Sequence, residues 1–294
     1  NGIYALSLDG HLDISNLPMS TKGASYYLQE VKTLDGCVLD TAQYDAVFKQ
    51  SDFTTKNYIK SFDVENKTTD FEFNKTDVTG DKEVEGAQLT ITDEDGNVVD
   101  QWTSDGKVHS IEGLVVGKTY TLSETVTAKD YVKATDIKFT VKNSSELETV
   151  TMKDKQVFVS KTTVGGEEVT GAHMQIIDED GNIIDEWYSE GKSHIANGLE
   201  EGKTYTLHED LSPLGFNLAN DFTFEVTKEK ENQTVEMIDT VIEVNKTDVD
   251  GKAVKEATLS IVSEKTKDIV DGYYFSFPFN RVYMLEDILS MSQI

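Results

Sequence analysis

The chain has 294 residues, enough for two to four small domains, and its 54 acidic against 27 basic side chains give a net charge of −27. That excess repels nucleic acid and anionic membrane surfaces, so no nucleic-acid partner is expected. The 37 % hydrophobic fraction still permits ordinary cores, the one cysteine, Cys37, excludes an intrachain disulfide, and no apolar run is long enough to insert in a membrane.

The chain opens in mid-pattern at Asn1, so it is expected to be an internal fragment whose lack of targeting signals says nothing about location. Residues 1–70 read as the C-terminal part of a repeat unit, because "YYLQEVKTLDGCVLD" lines up with "YTLHEDLSPLGFNLA" further on. Residues 71–155 and 156–240 are two complete copies. Trp102 pairs with Trp187, His109 with His194, Glu124 with Glu209 and Asp154 with Asp239, each 85 positions apart. Residues 241–294 begin a further copy with "VIEVNKTDVDGKAVKEATLSIV" and end in an atypical tail from Asp271, which the repeat does not explain.

Each complete copy shows period-2 alternation in short runs divided by turns at Asp95-Gly96, Asp105-Gly106 and Asp180-Gly181. "LTITDEDGNVVDQW" reads as a hairpin. Short strands with frequent turns predict an all-β fold, a tandem array of small β-sandwich modules.

Residues two apart in a strand share a face. Phe71 and Phe73 then lead to Lys75, Tyr120 and Leu122 to Glu124, and Val150 and Met152 to Asp154. In the second copy Val157 and Val159 lead to Lys161, Tyr205 and Leu207 to Glu209, and Val235 and Met237 to Asp239. The terminal parts give Glu30 after Tyr26 and Leu28, Asn66 after Phe62 and Val64, and Lys246 after Ile242 and Val244. A Lys, a Glu and an Asp are thus predicted to face the core of each complete module.

Isolated buried charges cost on the order of several kcal/mol each, so such groups are paired or neutral. One reading is a buried salt bridge, or inward residues at wet strand ends. The other is a reaction. Desolvation favours a neutral amine and a protonated carboxyl. The amine attacks the Asp carboxyl, the Glu relays the proton, and an amide forms with loss of water.

"SKTT", "NKTD", "YTLSE", "YTLHE" and "VEMIDT" resemble the prealbumin-like (Ig-like) modules of Gram-positive surface proteins and pilins, the SpaA or Cna protein B-type repeats. The resemblance covers roughly residues 1–262. It implies a Lys on the first strand, a Glu on a middle strand and an Asn or Asp on the last, joined as a Lys–Asn or Lys–Asp isopeptide bond. Those positions fall on Lys75, Glu124 and Asp154, and on Lys161, Glu209 and Asp239. Where many relatives use Asn, both complete modules carry Asp, which releases water instead of ammonia. Glu30 and Asn66 lack their Lys, and Lys246 lacks its partners, as truncation of those modules would cause.

Other signals have plainer readings. Asp93-Glu94-Asp95-Gly96 lacks the spacing of a calcium loop and reads as a turn, and no metal or cofactor is expected. His109 and His194 read as loop or strand-surface residues, Trp102 and Trp187 as core, Cys37 as an apolar filler, and Asn74 and Asn245 as strand sequence instead of glycan sites.

The expected function is that of a stalk or backbone of an extracellular, cell-wall-anchored adhesin or pilin-related protein, its anchor and signal peptide lying outside this chain. Its partners are neighbouring modules of the same protein, with host ligands bound through other domains. It has no turnover. Two rivals are a module binding host glycan or matrix protein through the Trp positions or the loops that differ most between copies, "TAKDYVKATD" and "SPLGFNLAND", and a carbohydrate-active enzyme, which needs paired carboxylates in an open cleft.

Overall fold

A computed structural model describes residues 4–7, 10–18, 20–49, 51, 59–213, 215–241, 246–254, 258–262, 269–275 and 282–284, the last three ranges as backbone. The chain divides into two compact units, Asn1–Leu214 with Leu218–Asp239, and Gly215–Asn217 with Thr240–Ile294. Among the described residues there is no α-helix, and no helix is long and apolar enough to cross a membrane.

The first unit opens with β1 (Ala24–Leu28) antiparallel to β2 (Tyr44–Phe48), Leu28 facing Tyr44. Then comes β3 (Asp70–Asp77), β4 (Glu85–Thr92), β5 (Val98–Asp105), β6 (His109–Glu112), β7 (Thr119–Val126), β8 (Ile137–Thr140) and β9 (Glu148–Asp154). These seven strands form two sheets, β6-β3-β9 and β5-β4-β7-β8. The pattern repeats in β10 (Val157–Thr163), β11 (Thr170–Ile177), β12 (Ile183–Glu190), β13 (His194–Ile195), β14 (Thr204–Leu211), β15 (Phe222–Glu225) and β16 (Gln233–Asp239). The sheets are β13-β10-β16 and β12-β11-β14-β15, in the same order. Among these named strands all pairings are antiparallel except those of the first and last strands of each module, β3 with β9 and β10 with β16.

Alternation sets these strands. Along β3 every second side chain from Phe71 to Lys75 is buried, and along β7 every second one from Tyr120 to Glu124. The inward sets of the two sheets meet as a core of Phe71, Phe73, Leu89, Ile91, Leu122 and Met152, with Trp102 packed against it. Val157, Val159, Met174, Ile176, Leu207 and Met237 form its counterpart, with Trp187 at the edge. At roughly 1.5–3 kcal/mol for each fully buried large side chain, these two cores are the main stabilising term.

The expected hairpin is present, with Leu89 opposite Trp102. Its turn closes because Asp93 Oδ1 accepts the N–H groups of Asp95 (3.0 Å) and Asn97 (2.8 Å), while Gly96 takes a φ of 82° that side chains resist. Asp178 does the same for Asp180 and Asn182. The first carboxylate of each acidic run therefore serves a turn.

The second unit contains β17 (Thr258–Val262), β18 (Ile269–Phe275) and β19 (Val282–Met284), an antiparallel sheet in that order. Part of the atypical tail is thus strand.

Candidate functional site: a buried Lys–Glu–Asp cluster in each module

Lys75 comes from β3 and Asp154 from β9, neighbours in one sheet, whereas Glu124 comes from β7 in the opposite sheet. The three inward positions meet between the layers. Lys75 Nζ donates a hydrogen bond to Asp154 Oδ1 and lies 3.1 Å from Glu124 Oε1. The residues are 2 %, 1 % and 0 % exposed for Lys75, Glu124 and Asp154. The second module repeats the arrangement. Lys161 Nζ donates to Asp239 Oδ1 and stands 3.1 Å from Glu209 Oε1, all three groups buried.

The Glu is held in place by local geometry. A register shift between Gln88 and Leu89 sets Leu89 opposite Glu124, and the shift between His173 and Met174 sets Met174 opposite Glu209. Such bulges re-aim side chains. The second carboxylate oxygen then accepts a backbone N–H ten residues further on, Ala134 for Glu124 (3.0 Å) and Ala219 for Glu209 (2.6 Å). Oε1 is left turned to the amine.

Burial pushes the Asp154 carboxyl up to about 7; the Lys75 charge opposes this and the Glu124 charge adds to it. Burial raises the Asp239 carboxyl too, with Lys161 opposing. Oδ2 of Asp154 and Oδ2 of Asp239 are buried and have no hydrogen-bond partner among the described residues. A carboxylate left this way is costly, and a protonated carboxyl is less so. In each site burial thus raises the Asp carboxyl beside a Lys amine, with a Glu carboxyl oxygen 3.1 Å from the nitrogen.

The N-terminal part holds half of such a cluster. Asn66 Nδ2 donates to Glu30 Oε2 (2.8 Å) and to the Val38 carbonyl (2.9 Å), and the Asp40 N–H completes the Glu30 contact at 2.8 Å. Lys246 is exposed; Ile242 and Val244, which share its strand pattern, lie outside the described residues, as does Asn245.

Other groups stand around the clusters that strand parity did not find. β6 ends opposite Phe73, so it offers no partner to the N–H of Lys75; Glu83 Oε2 accepts that N–H at 3.1 Å. Glu168 does the same for Lys161 at 3.3 Å. Glu83 and Glu168 lie 85 positions apart, so alignment of the two copies carried this signal. Ala134 and Ala219 act through backbone N–H, which has no side-chain signature.

The histidines are strand residues with a packing role beyond surface placement. His109 stacks on Trp102 at 4.1 Å and bonds Asp100 at 2.7 Å. His194 stacks on Trp187 at 4.0 Å and bonds Asp185 at 2.8 Å. One face of each indole is thereby covered. Asn74 Oδ1 is buried, and Cys37 is half-buried in a bridge to Thr68. Among the described residues no cluster of His, Cys, Asp or Glu could hold a metal ion.

A family model for the SpaA prealbumin-like fold domain matches the chain twice, over residues 69–156 and 155–241. The chain belongs to that family. Each match contains one Lys–Glu–Asp cluster. Among solved structures the SpaA-type chain is similar to the Bacillus anthracis TIE protein, at 21 % identity and a TM-score of 0.34 over 80 % of this chain and 45 % of that one. It spans less than half the length of that protein. It is also similar to the shaft pilin SpaA of Lactobacillus rhamnosus GG, at 15 % identity and a TM-score of 0.30 over 60 % of this chain and 98 % of that one. A Streptococcal ancillary pilin matches at 17 % identity and a TM-score of 0.30 over 74 % of this chain and 75 % of that one. No curated protein matches.

Proposed function

We propose that this chain is a load-bearing segment of an extracellular, cell-wall-anchored adhesin or pilin-related protein, and that each complete SpaA-type module cross-links itself once through its Lys and Asp. The observation that carries this reading is the hydrogen bond between Lys75 and Asp154, repeated by Lys161 and Asp239, inside a dry core beside a Glu.

The chemistry balances as follows. The cluster begins with a protonated Lys, an ionised Glu and a protonated Asp. The Glu takes a proton from nitrogen, and the freed amine attacks the Asp carboxyl carbon. The carbon–oxygen bond breaks and the hydroxyl leaves as water with a second nitrogen proton. The amide and a protonated Glu remain, so no net charge stays buried. The lost oxygen also removes one of the poorly satisfied carboxyl atoms. The Glu acts once, on its own chain, and no cofactor takes part.

Mechanical use follows from topology. β3 and β9 are the first and last strands of one module and parallel neighbours, so tension on the chain ends loads them directly. A covalent link between them carries the force past the other strands. One of the two loops on which the glycan-binding rival rests is engaged within the chain, since Val132 in the loop at 127–136 is buried and packs into the following module's core.

Single-molecule pulling tests this reading. The account expects no unfolding step from either complete module. A step releasing the residues between Lys75 and Asp154, about 3.3–3.6 Å of contour for each, contradicts it.

A further inference from the structure

The two complete modules share more than a short linker. The loop at 127–136, between β7 and β8, reaches into the second module. Val132 is 1 % exposed and belongs to the apolar cluster of Val157, Leu199, Tyr205 and Val226. Beside it Lys133 pairs with the second module as a strand would: its N–H donates to the Leu199 carbonyl (2.9 Å), and the Glu201 N–H donates to the Lys133 carbonyl (3.1 Å).

A polar clamp surrounds this plug. Glu201 Oε2 accepts both the N–H and the hydroxyl of Thr135, at 3.0 and 3.1 Å. Lys230 grips the same carboxylate at 2.6 and 2.8 Å. Asp130, held at a φ of 68°, donates its N–H to Asn197 Oδ1 at 2.7 Å and accepts from Gln156 Nε2 at 3.2 Å. Lys155, between β9 and β10, is fully buried, and its ammonium is capped by the Thr227 carbonyl, the Thr227 hydroxyl (2.8 Å) and the Glu229 carbonyl (3.3 Å). Burial of these polar groups is tolerable because each finds partners across the joint.

This chemistry is not a by-product of the repeat. In the second module the position of Val132 holds Asn217, and in the first module the position of Glu201 holds Val116. The Glu201 clamp belongs to this junction, whereas the plug has a counterpart upstream: Val38 donates its N–H to the Lys67 carbonyl (2.8 Å) as Val132 does to the Lys155 carbonyl (2.9 Å).

We propose that residues 127–136 are a docking element for the next module, completing its core, so that the two complete modules move as a single body. The joint and the first Lys–Asp bond are separate contacts, although the same loop also carries Ala134, whose N–H holds Glu124. A hinge between modules would waste a stiffened module, because force would first be absorbed by reorientation; the plug removes that compliance.

Electron–electron distance measurement on the full chain tests this. Cys37→Ser, Lys107→Cys and Lys192→Cys place one nitroxide on an exposed site of each module. The proposal expects one narrow distance, broadened by Val132→Ala and again by adding Glu201→Gln. Val132→Ala is a mild truncation, and near-ultraviolet circular dichroism of the Trp–His stacks reports whether the modules remain folded. A broad distribution in the parent overturns the proposal. So does a peak that stays narrow in the folded double variant. Intact mass, read on the same samples, reports the cross-links separately, so failure of one claim is not mistaken for failure of the other.

Discussion

Lys75 and Asp154 stand 79 positions apart in sequence and touch in the core, because β3 and β9 run parallel with Lys75 opposite Met152. Two strands of the same direction bring the first and last inward polar residues of the module to one end of the sandwich. Glu124 then meets them from the other sheet. The same relationship holds 78 positions apart for Lys161 and Asp239.

Removal of the proposed proton acceptor is expected to prevent the first bond. Glu124→Ala is expected to return one water to the intact mass, and adding Glu209→Ala returns a second. A Glu124→Ala chain with the parent mass excludes Glu124 from the chemistry.

Stability follows the bond. Glu124→Gln preserves volume but cannot take the proton. By the loop-closure model used for disulfides, the unlinked first module is expected to lose about 4–5 kcal/mol. Urea unfolding followed through Trp102 reads this loss. An unchanged midpoint contradicts the covalent constraint.

The pH dependence has a definite sign. Asp154 keeps its proton up to about 7 in the folded, unlinked module and releases it near 3.8 when unfolded. The folded state therefore binds more protons between these values. This stabilising contribution is fully present below about 3.8 and is lost as pH rises through about 7. Water also leaves only from the protonated carboxyl. Chains refolded from denaturant should cross-link faster below pH 7 than above it, as followed by intact mass over time. A rate that rises with pH refutes the protonated-Asp route.

Positioning of the Glu is separable from its chemistry. Ala134→Pro deletes the N–H that fixes Glu124 Oε2 and leaves the carboxylate itself in place. Slower formation of the first cross-link is expected, with the second formed at the parent rate. Equal rates for both would show that the Ala134 contact has no positioning role.

Much of this was legible in the sequence because strand parity is simple. Apolar residues at Phe71 and Phe73 fix the face on which Lys75 lies, and the same logic placed Glu124 and Asp154. The 85-residue offset then duplicated the argument. Lys246 is exposed, and the strand that would set its parity lies outside the described residues. Cross-element contacts were not legible. His109 meets Trp102 only because their strands lie in facing sheets, and Val132 reaches the next core only through the docking of two modules. Neither depends on local periodicity.

The most direct test is the intact mass of the full chain under denaturing, reducing conditions, followed by peptide mapping. The account predicts a mass lower than that of the sequence by two waters, with branched peptides joining Lys75 to Asp154 and Lys161 to Asp239. A mass equal to that of the sequence would contradict it and leave two buried salt-bridged clusters in place of two bonds.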